Sequence, residues 1–284
     1  MNTIFNLQQY ALTALKDTYN EREIKYLCSY LLCKILHCTN IEIHLNKHEL
    51  LEKRFVDNFV AMVEELKTNK PVQYVLGETE FLGVDIRLNN ETLIPRPETE
   101  ELVMWVAESG LPEGARVLDV GTGSGCIIIT LGKMLRGLEL HGVDISAEAI
   151  RQAGENARAN GVEVHFYERD ILRHETWDWS DFDVIVSNPP YVRVSEKALM
   201  HERVLGYEPH RALFVADEDP LVFYRVIAEF GRSRLKAGGL LFFEINEAFG
   251  QEMVDLLSGM GYREVELRKD IHDKDRMVKA RWTK

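Results

Sequence analysis

The sequence is short of the features that mark secreted, membrane-spanning or nucleic-acid-coating chains. It holds four cysteines in 284 residues, Cys28, Cys33, Cys38 and Cys126, and no two form a Cys-x-x-Cys pair. Cys28 and Cys33 followed by His44 and His48 loosely follow the ligand order of a zinc finger. Both thiols, however, fall inside one apolar helical pattern and not on a turn, so small buried thiols are expected. No run approaches the ~20 apolar residues of a membrane span. Met1 to Phe5 has no basic segment leading into an apolar one, so no signal peptide is expected either. A reduced, cytoplasmic protein that makes no use of the membrane is the reading. Basic residues are also in deficit, with 34 Lys and Arg against 46 Asp and Glu, a formal charge of −12. Coating a nucleic acid needs clustered Lys and Arg to neutralise phosphates, so no stable nucleic-acid binding is expected. An enzyme that touches nucleic acid only at its site stays open.

What is present is globular. Hydrophobic residues make up 45% and charged residues 28%, near the average for folded domains, and the length suits one large or two modest domains. The charge is uneven: residues 1–75 hold nine basic and nine acidic side chains, so the remainder carries the whole −12. Such asymmetry points to separate domains.

Residues 1–70 read as helices only. Ile4, Leu7, Ala11, Leu12 and Leu15 recur at helical spacing, as do Ile24, Leu27, Leu31, Leu32 and Ile35, and then Leu51, Phe55, Phe59, Met62 and Leu66. Asn20 is placed to cap the second helix, with Glu21 and Glu23 in its first turn. No residue set in this bundle looks catalytic; it is either a stabilising cap or a partner-docking domain. A linker over 71–92 follows. Val84, Ile86 and Leu88 alternate with polar residues, and Val72–Leu76 with Gly77 and Gly83 suggests a hairpin. A second domain over 93–284 opens on Leu93-Ile-Pro-Arg-Pro-Glu-Thr-Glu100, where Pro97 sits at a helix start and Glu98 and Glu100 suit its first turn. Beyond Arg116 short apolar runs at 117–120, 140–143, 162–166, 182–186 and 240–245 alternate with helical patterns near 126–135, 147–159, 220–236 and 249–260. That alternation specifies an α/β fold with a parallel sheet wrapped by helices. The tail from Val265 can add two strands, one of them antiparallel.

Two motifs carry chemistry. Asp119-Val-Gly121-Thr122-Gly123-Ser124-Gly125 stands between the first strand of the sheet and an apolar helix, and its glycines let the backbone turn and lie against a ligand. Asp144 ends the second strand, where an acid can accept ribose hydroxyls. The motif fails as a dinucleotide fingerprint, because Cys126 replaces the third glycine, and no Lys-Ser/Thr follows to make a P-loop. Asp119 would repel a phosphate and suits a cofactor with a cationic end, such as the amino acid part of S-adenosylmethionine. The second motif, Ser187-Asn188-Pro189-Pro190-Tyr191, follows an apolar strand directly. Ligands bind beyond the carboxyl ends of such strands, so Asn188 is placed in the same crevice as the glycines. Two prolines remove two N–H groups, leaving carbonyl acceptors beside the Asn188 oxygen, a site for a planar NH₂ that stacks on Tyr191. The histidines of this half, His165, His174, His201 and His210 among them, suggest no triad or metal cluster.

Asp119–Gly125 with Asp144 resembles the cofactor motif of class I S-adenosylmethionine-dependent methyltransferases, and Asn188-Pro-Pro-Tyr191 is similar to that of members methylating planar amide or amino nitrogens. Adenine methyltransferases share the second motif. Pro71-Val-Gln-Tyr-Val-Leu-Gly77, Ile94-Pro-Arg-Pro-Glu-Thr-Glu100, Tyr207-Glu-Pro-His-Arg-Ala-Leu213 and the helical first domain narrow the resemblance to the glutamine methyltransferases of peptide chain release factors, the HemK/PrmC family, over nearly the whole chain.

The resemblance implies a Rossmann-like methyltransferase domain, S-adenosylmethionine as methyl donor, and release factors as protein substrate, methylated on the glutamine of a Gly-Gly-Gln loop. It implies that Asp119, Gly121, Thr122, Gly123, Ser124 and Gly125 line the cofactor, that Asp144 holds its ribose, that Asp170 and Ile171 lie near the adenine, and that Asn188 borders it. Asn188, Pro189, Pro190 and Tyr191 would grip the substrate amide, with Asn188, Pro189 and Tyr191 serving catalysis. No metal is expected. Arg96 either closes over the cofactor or remains a surface charge. Two rivals stay open: a nucleic-acid adenine methyltransferase, which should add a basic target-recognition region, and a non-catalytic binding module, which would not need Asn188–Tyr191.

Overall fold

In the computed structural model, which describes residues 2–283, the first seventy residues form helices where their apolar spacing predicts them: α1 (Ile4–Ala14), α2 (Glu21–Leu36), α3 (Asn40–Leu45) and α4 (Lys53–Leu66). Asn20 starts α2 as expected. Its Oδ1 accepts the Glu23 N–H at 3.0 Å, and Glu23 Oε2 accepts the Asn20 N–H at 3.1 Å, satisfying two donors that a helix start leaves over. Leu7, Ala11, Leu31, Phe59 and Val63 bury the facing stripes in one core, with Cys28 among them.

The hairpin begins later than the sequence suggests. Val72–Leu76 forms a short helix, α5, not a strand. Pro71, at its N-cap, needs no N–H there, and Gly77 at φ 74° closes it in the left-handed region that glycine enters freely. The hairpin proper pairs β1 (Glu78–Phe81) with β2 (Val84–Arg87) across Leu82-Gly83, both at positive φ, the backbone of a tight strand reversal.

The chain then continues through α6 (Pro97–Ala107), β3 (Arg116–Val120), α7 (Cys126–Met134), β4 (Glu139–Asp144), α8 (Ala147–Asn160), β5 (His165–Glu168), β6 (Phe182–Ser187), β7 (Val192–Arg193), α9 (Glu202–Tyr207), α10 (His210–Leu213), β8 (Phe214–Val215), α11 (Val222–Arg234), β9 (Leu235–Glu244), α12 (Gly250–Gly259), β10 (Arg263–Lys269) and β11 (Asp275–Arg281). β5 starts three residues later than expected because Val162 is spent on ending α8: its N–H reaches back to Ala157 O at 3.0 Å, past Gly161 in the left-handed conformation.

Seven strands form one sheet in the order β10-β11-β9-β6-β3-β4-β5. β11 is the antiparallel member, paired against β9 and β10. The chain runs from β3 outward to β5 and only then crosses to β6 on the other flank, so a crevice opens where β3 and β6 end. Leu118, Ile185, Leu241 and Phe243 from the central strands pack on Tyr224, Ile227 and Met253 from α11 and α12.

The molecule divides into two compact units: the chain through Gly77 together with His201–Tyr207, and Glu78–Met200 together with Glu208 onward. The inserted segment joins the helical unit through specific interactions. Tyr207 Oη donates to Thr68 O at 2.8 Å, Arg203 Nε donates to Asn69 Oδ1 at 2.6 Å, and the Arg203 guanidinium lies 4.3 Å from the Tyr19 ring centroid. Nothing in the apolar spacing of 201–207 announces this.

Candidate active site

The crevice holds a cavity of 310 Å³ walled by Gly121–Ser124, Asp144, Asp170, Ile171, Asn188, Pro189 and Pro190. Gly121 and Gly123 stand at φ 75° and 54°, and a Cβ on either would meet no protein atom within 4 Å. The backbone therefore lies bare beside open space. Gly125, expected on the wall, lies behind it as the N-cap of α7. Its φ is 82°, and a Cβ there would come within 2.8 Å of Ile129 Cδ1 and 3.2 Å of Ala153 Cβ. Its constraint is the Ile129 side chain one turn into α7 together with Ala153 of α8.

The sequence places three acids at the cofactor, and the structure separates them. Asp144 is on the wall, its Oδ2 accepting the Gly123 N–H and its Oδ1 the Ser146 N–H, each at 2.9 Å. Burial pushes its carboxyl up, and the Ser146 and Gly123 amides pull it back. Asp170 is on the wall too, its Oδ1 accepting the Leu172 N–H at 3.0 Å. Asp119 is fully buried beneath the loop and not on the wall. Its Oδ2 accepts the Thr122 hydroxyl at 2.6 Å, and its Oδ1 has no partner among the described residues. Burial pushes this carboxyl up to about 7, against the Thr122 hydrogen bond and with the help of Asp144. Because the folded state holds the proton more tightly than the unfolded chain, Asp119 lowers stability as pH rises from about 4 to about 7. Urea denaturation of wild type and Asp119→Asn across that range should show the wild type losing ground to the variant as pH rises; a constant difference would contradict it.

Residues 187–191 leave β6 next to the end of β9, where Ser187 pairs with Phe243. Asn188 Nδ2 donates to Thr99 Oγ1 at 3.1 Å, the Thr99 hydroxyl donates to Glu244 Oε2 at 2.6 Å, and Tyr191 Oη donates to Glu244 Oε1 at 3.0 Å. Asn188 Oδ1 accepts no hydrogen bond among the described residues. Burial pushes the Glu244 carboxyl above the usual range, while the two hydroxyls and the Arg276 charge pull it back. Burial and the neighbouring Glu244 raise the Tyr191 phenol. Tyr191 is absent from the cavity wall. Its hydroxyl is held by Glu244 and the residue stays partly exposed.

Sequence reasoning misses Thr99 and Glu244. An acid closing the otherwise apolar run of β9 is the same signal that picks out Asp144, and it stands in the sequence to be read. Phe223 and Ile227 of α11, also on the wall, look in sequence like ordinary core positions.

Arg96 is on the wall and is not a free surface charge. Its Nη2 meets Oε1 of Glu208 at 2.5 Å, while Glu208 Oε2 accepts the Ile94 N–H at 3.3 Å. The Glu208 side chain is 1% exposed and that of Arg96 31%. Arg96→Ala would leave a buried carboxylate holding one amide, and should cost ~1–3 kcal/mol once the exposure of Arg96 is allowed for, read as a lower urea midpoint.

Among the described residues no group of three or more His, Cys, Asp or Glu is placed to hold a metal ion, and no helix is long and apolar enough to cross a membrane. The zinc-finger spacing of Cys28 resolves into a buried thiol pushed up to about 12 by desolvation.

Comparison with known proteins places this architecture. A family model for the methyltransferase small domain matches residues 99–206, and one for the PrmC N-terminal domain matches residues 6–77. The chain is 41% identical over 281 residues to the release factor glutamine methyltransferase of Flavobacterium psychrophilum, covering 98% of each. The chain belongs to the release factor glutamine methyltransferase family. A second family member, from Bacteroides thetaiotaomicron, is 42% identical over 95% of this chain and 97% of its own length. A solved methyltransferase from Pyrococcus furiosus shares the fold at 17% identity, with a TM-score of 0.53 over 80% of this chain and all of the other. Family membership thus spans the helical unit as well as the sheet.

Proposed function

We propose that this chain transfers a methyl group from S-adenosylmethionine to the side-chain amide nitrogen of the glutamine in the Gly-Gly-Gln loop of peptide chain release factors. The observation that carries the chemistry is Asn188, on the cavity wall with its Nδ2 committed to Thr99 and its Oδ1 left to accept. The substrate follows from the names its full-length relatives carry. Release factors act in the cytoplasm, and the chain would work there.

The site fits the methyl donor. The bare glycine wall gives space against the backbone, and each Asp144 oxygen keeps acceptor capacity for ribose hydroxyls after its amide bond. Asp119 lies beneath the loop with one oxygen orphaned, where a bound cationic amino acid end would favour its ionised form. Asp170 and Ile171, also on the wall, would hold the adenine. S-adenosylmethionine supplies an electrophilic sulfonium methyl group when bound. Asn188 Oδ1 and the Pro189 carbonyl accept the two substrate amide hydrogens, which turns the nitrogen toward the methyl position. An amide nitrogen is a poor nucleophile because its lone pair is shared with the carbonyl, so acceptors that strengthen as the nitrogen turns pyramidal and positive favour the transition state over the ground state. Alignment supplies much of the remainder, up to ~7–11 kcal/mol in well-ordered systems. The methylated nitrogen becomes acidic and sheds its proton afterwards, so no strong base is needed first. Pro190 keeps the loop rigid, and Tyr191 anchors it to Glu244 and Asn246.

The −12 charge favours a basic surface on the protein partner, so release-factor binding should weaken as salt rises. Radiolabelled methyl transfer with purified release factor and nucleic acid offered side by side tests the assignment. Label on the release factor alone is expected. Label on nucleic acid would favour an adenine methyltransferase, and label on neither a binding module.

A further inference from the structure

The two ends of an Asn side-chain amide are nearly equal in size and opposite in chemistry. Toward a substrate NH₂ only the oxygen is useful, because the nitrogen would set donor against donor. Nothing in Asn188 itself selects between the two flips. Its neighbours do.

We infer that Glu244, acting through Thr99, fixes which end of the Asn188 amide faces the cavity, making Glu244 and Thr99 positioning residues for the substrate amide. The inference rests on the reading above, in which Asn188 Oδ1 accepts from that amide. Glu244 accepts on both oxygens, from Tyr191 Oη on Oε1 and from Thr99 on Oε2. The single Thr99 hydroxyl hydrogen is drawn to Glu244 Oε2 at 2.6 Å, so the same oxygen can only accept from Asn188, 3.1 Å away. The end of Asn188 facing Thr99 must then be Nδ2, and the end facing the cavity must be Oδ1.

The carboxylate has no slack of its own. Tyr191 Oη occupies its other oxygen at 3.0 Å, and Asn246 Nδ2 holds the Tyr191 carbonyl at 3.1 Å. Thr99 and Glu244 are buried, so no water competes for the chain of donors. Strand register delivers the arrangement: with Ser187 opposite Phe243, Asn188 and Glu244 leave neighbouring parallel strands side by side.

Thr99→Val keeps the shape and removes the acceptor. It should lower kcat at least ~10-fold, the order of one directed hydrogen bond lost, with S-adenosylmethionine affinity unchanged; the melting temperature should also fall, because the buried Glu244 Oε2 loses its hydroxyl donor. Thr99→Ser, which restores the hydroxyl, should recover to within ~3-fold of wild type. Glu244→Gln can donate to Thr99 as readily as accept, so it should release the lock and lower kcat in the same way while the fold is kept. In ¹⁵N spectra the Asn188 side-chain NH₂ should be protected from exchange in the wild type and lose that protection in Thr99→Val. Asn188→Ala is measured alongside. Near-wild-type turnover by Thr99→Val with Asn188→Ala inactive would overturn the positioning role alone; so would a loss that tracks cofactor affinity, or that Thr99→Ser does not recover. Activity retained by Asn188→Ala would overturn the underlying reading itself.

Discussion

Asn188→Ala should slow methyl transfer to a release factor at least ~100-fold, the scale of losing a hydrogen-bonding group aimed at developing charge. Its dissociation constant for S-adenosylmethionine should stay close to the wild-type value. The separation follows from geometry. Among the described residues the side chain bonds Thr99 and leaves its oxygen to the cavity, while the glycine wall follows β3 and Asp144 ends β4. Removing Asn188 takes an acceptor from the nitrogen that must become positive, and Pro189 keeps only its own. Single-turnover kinetics beside calorimetric titration of the cofactor would read both quantities on one preparation. Parallel losses in transfer and cofactor affinity would place Asn188 in cofactor binding and not in substrate alignment.

Gly125→Val should damage the fold itself. The position lies at φ 82°, and the new Cβ would press on Ile129 and Ala153. A left-handed conformation costs a non-glycine residue ~1–2 kcal/mol, and forcing atoms into a packed contact adds ~1–3 kcal/mol. Together that is ~2–5 kcal/mol, expected as a melting temperature lower by roughly 5–20 °C for a unit of this size. Because α7 starts at this residue and carries the loop with it, S-adenosylmethionine should also bind more weakly. Gly125→Ala has the same φ and contact with less bulk, and should fall between. A Val variant with wild-type melting would mean that Ile129 and Ala153 can give way without cost.

The parts of the site legible in sequence are those built from neighbouring residues. The glycine turn after β3, Asp144 at a strand end and the rigid Asn-Pro-Pro each declare their geometry within a few positions, because φ freedom, strand ends and proline are local properties. The Thr99–Glu244 contact joins residues 145 apart and exists only because α6 packs on β9. No local pattern encodes it, though the acid ending β9 marks one half. Tyr191 illustrates the same limit. Its residue type suggests a stacking face, and only the fold shows that its hydroxyl is held by Glu244, 53 residues away. In the fold, amphipathic spacing suffices for α1 to α4 and fails for Val72–Leu76, where five apolar-rich residues suit either state and Pro71 and Gly77 decide for helix. Arg96 is ambiguous in sequence for a similar reason: its buried partner, Glu208, lies 112 residues away.

The most direct test of the account is to locate the methyl group. Wild-type enzyme, S-adenosylmethionine and a purified release factor are incubated, and the product is digested and fragmented in a mass spectrometer. A single added methyl on the side-chain amide nitrogen of the Gly-Gly-Gln glutamine is the expected result, absent when that glutamine is replaced. A methyl group on another residue, or on the release factor with its glutamine replaced, would contradict the account.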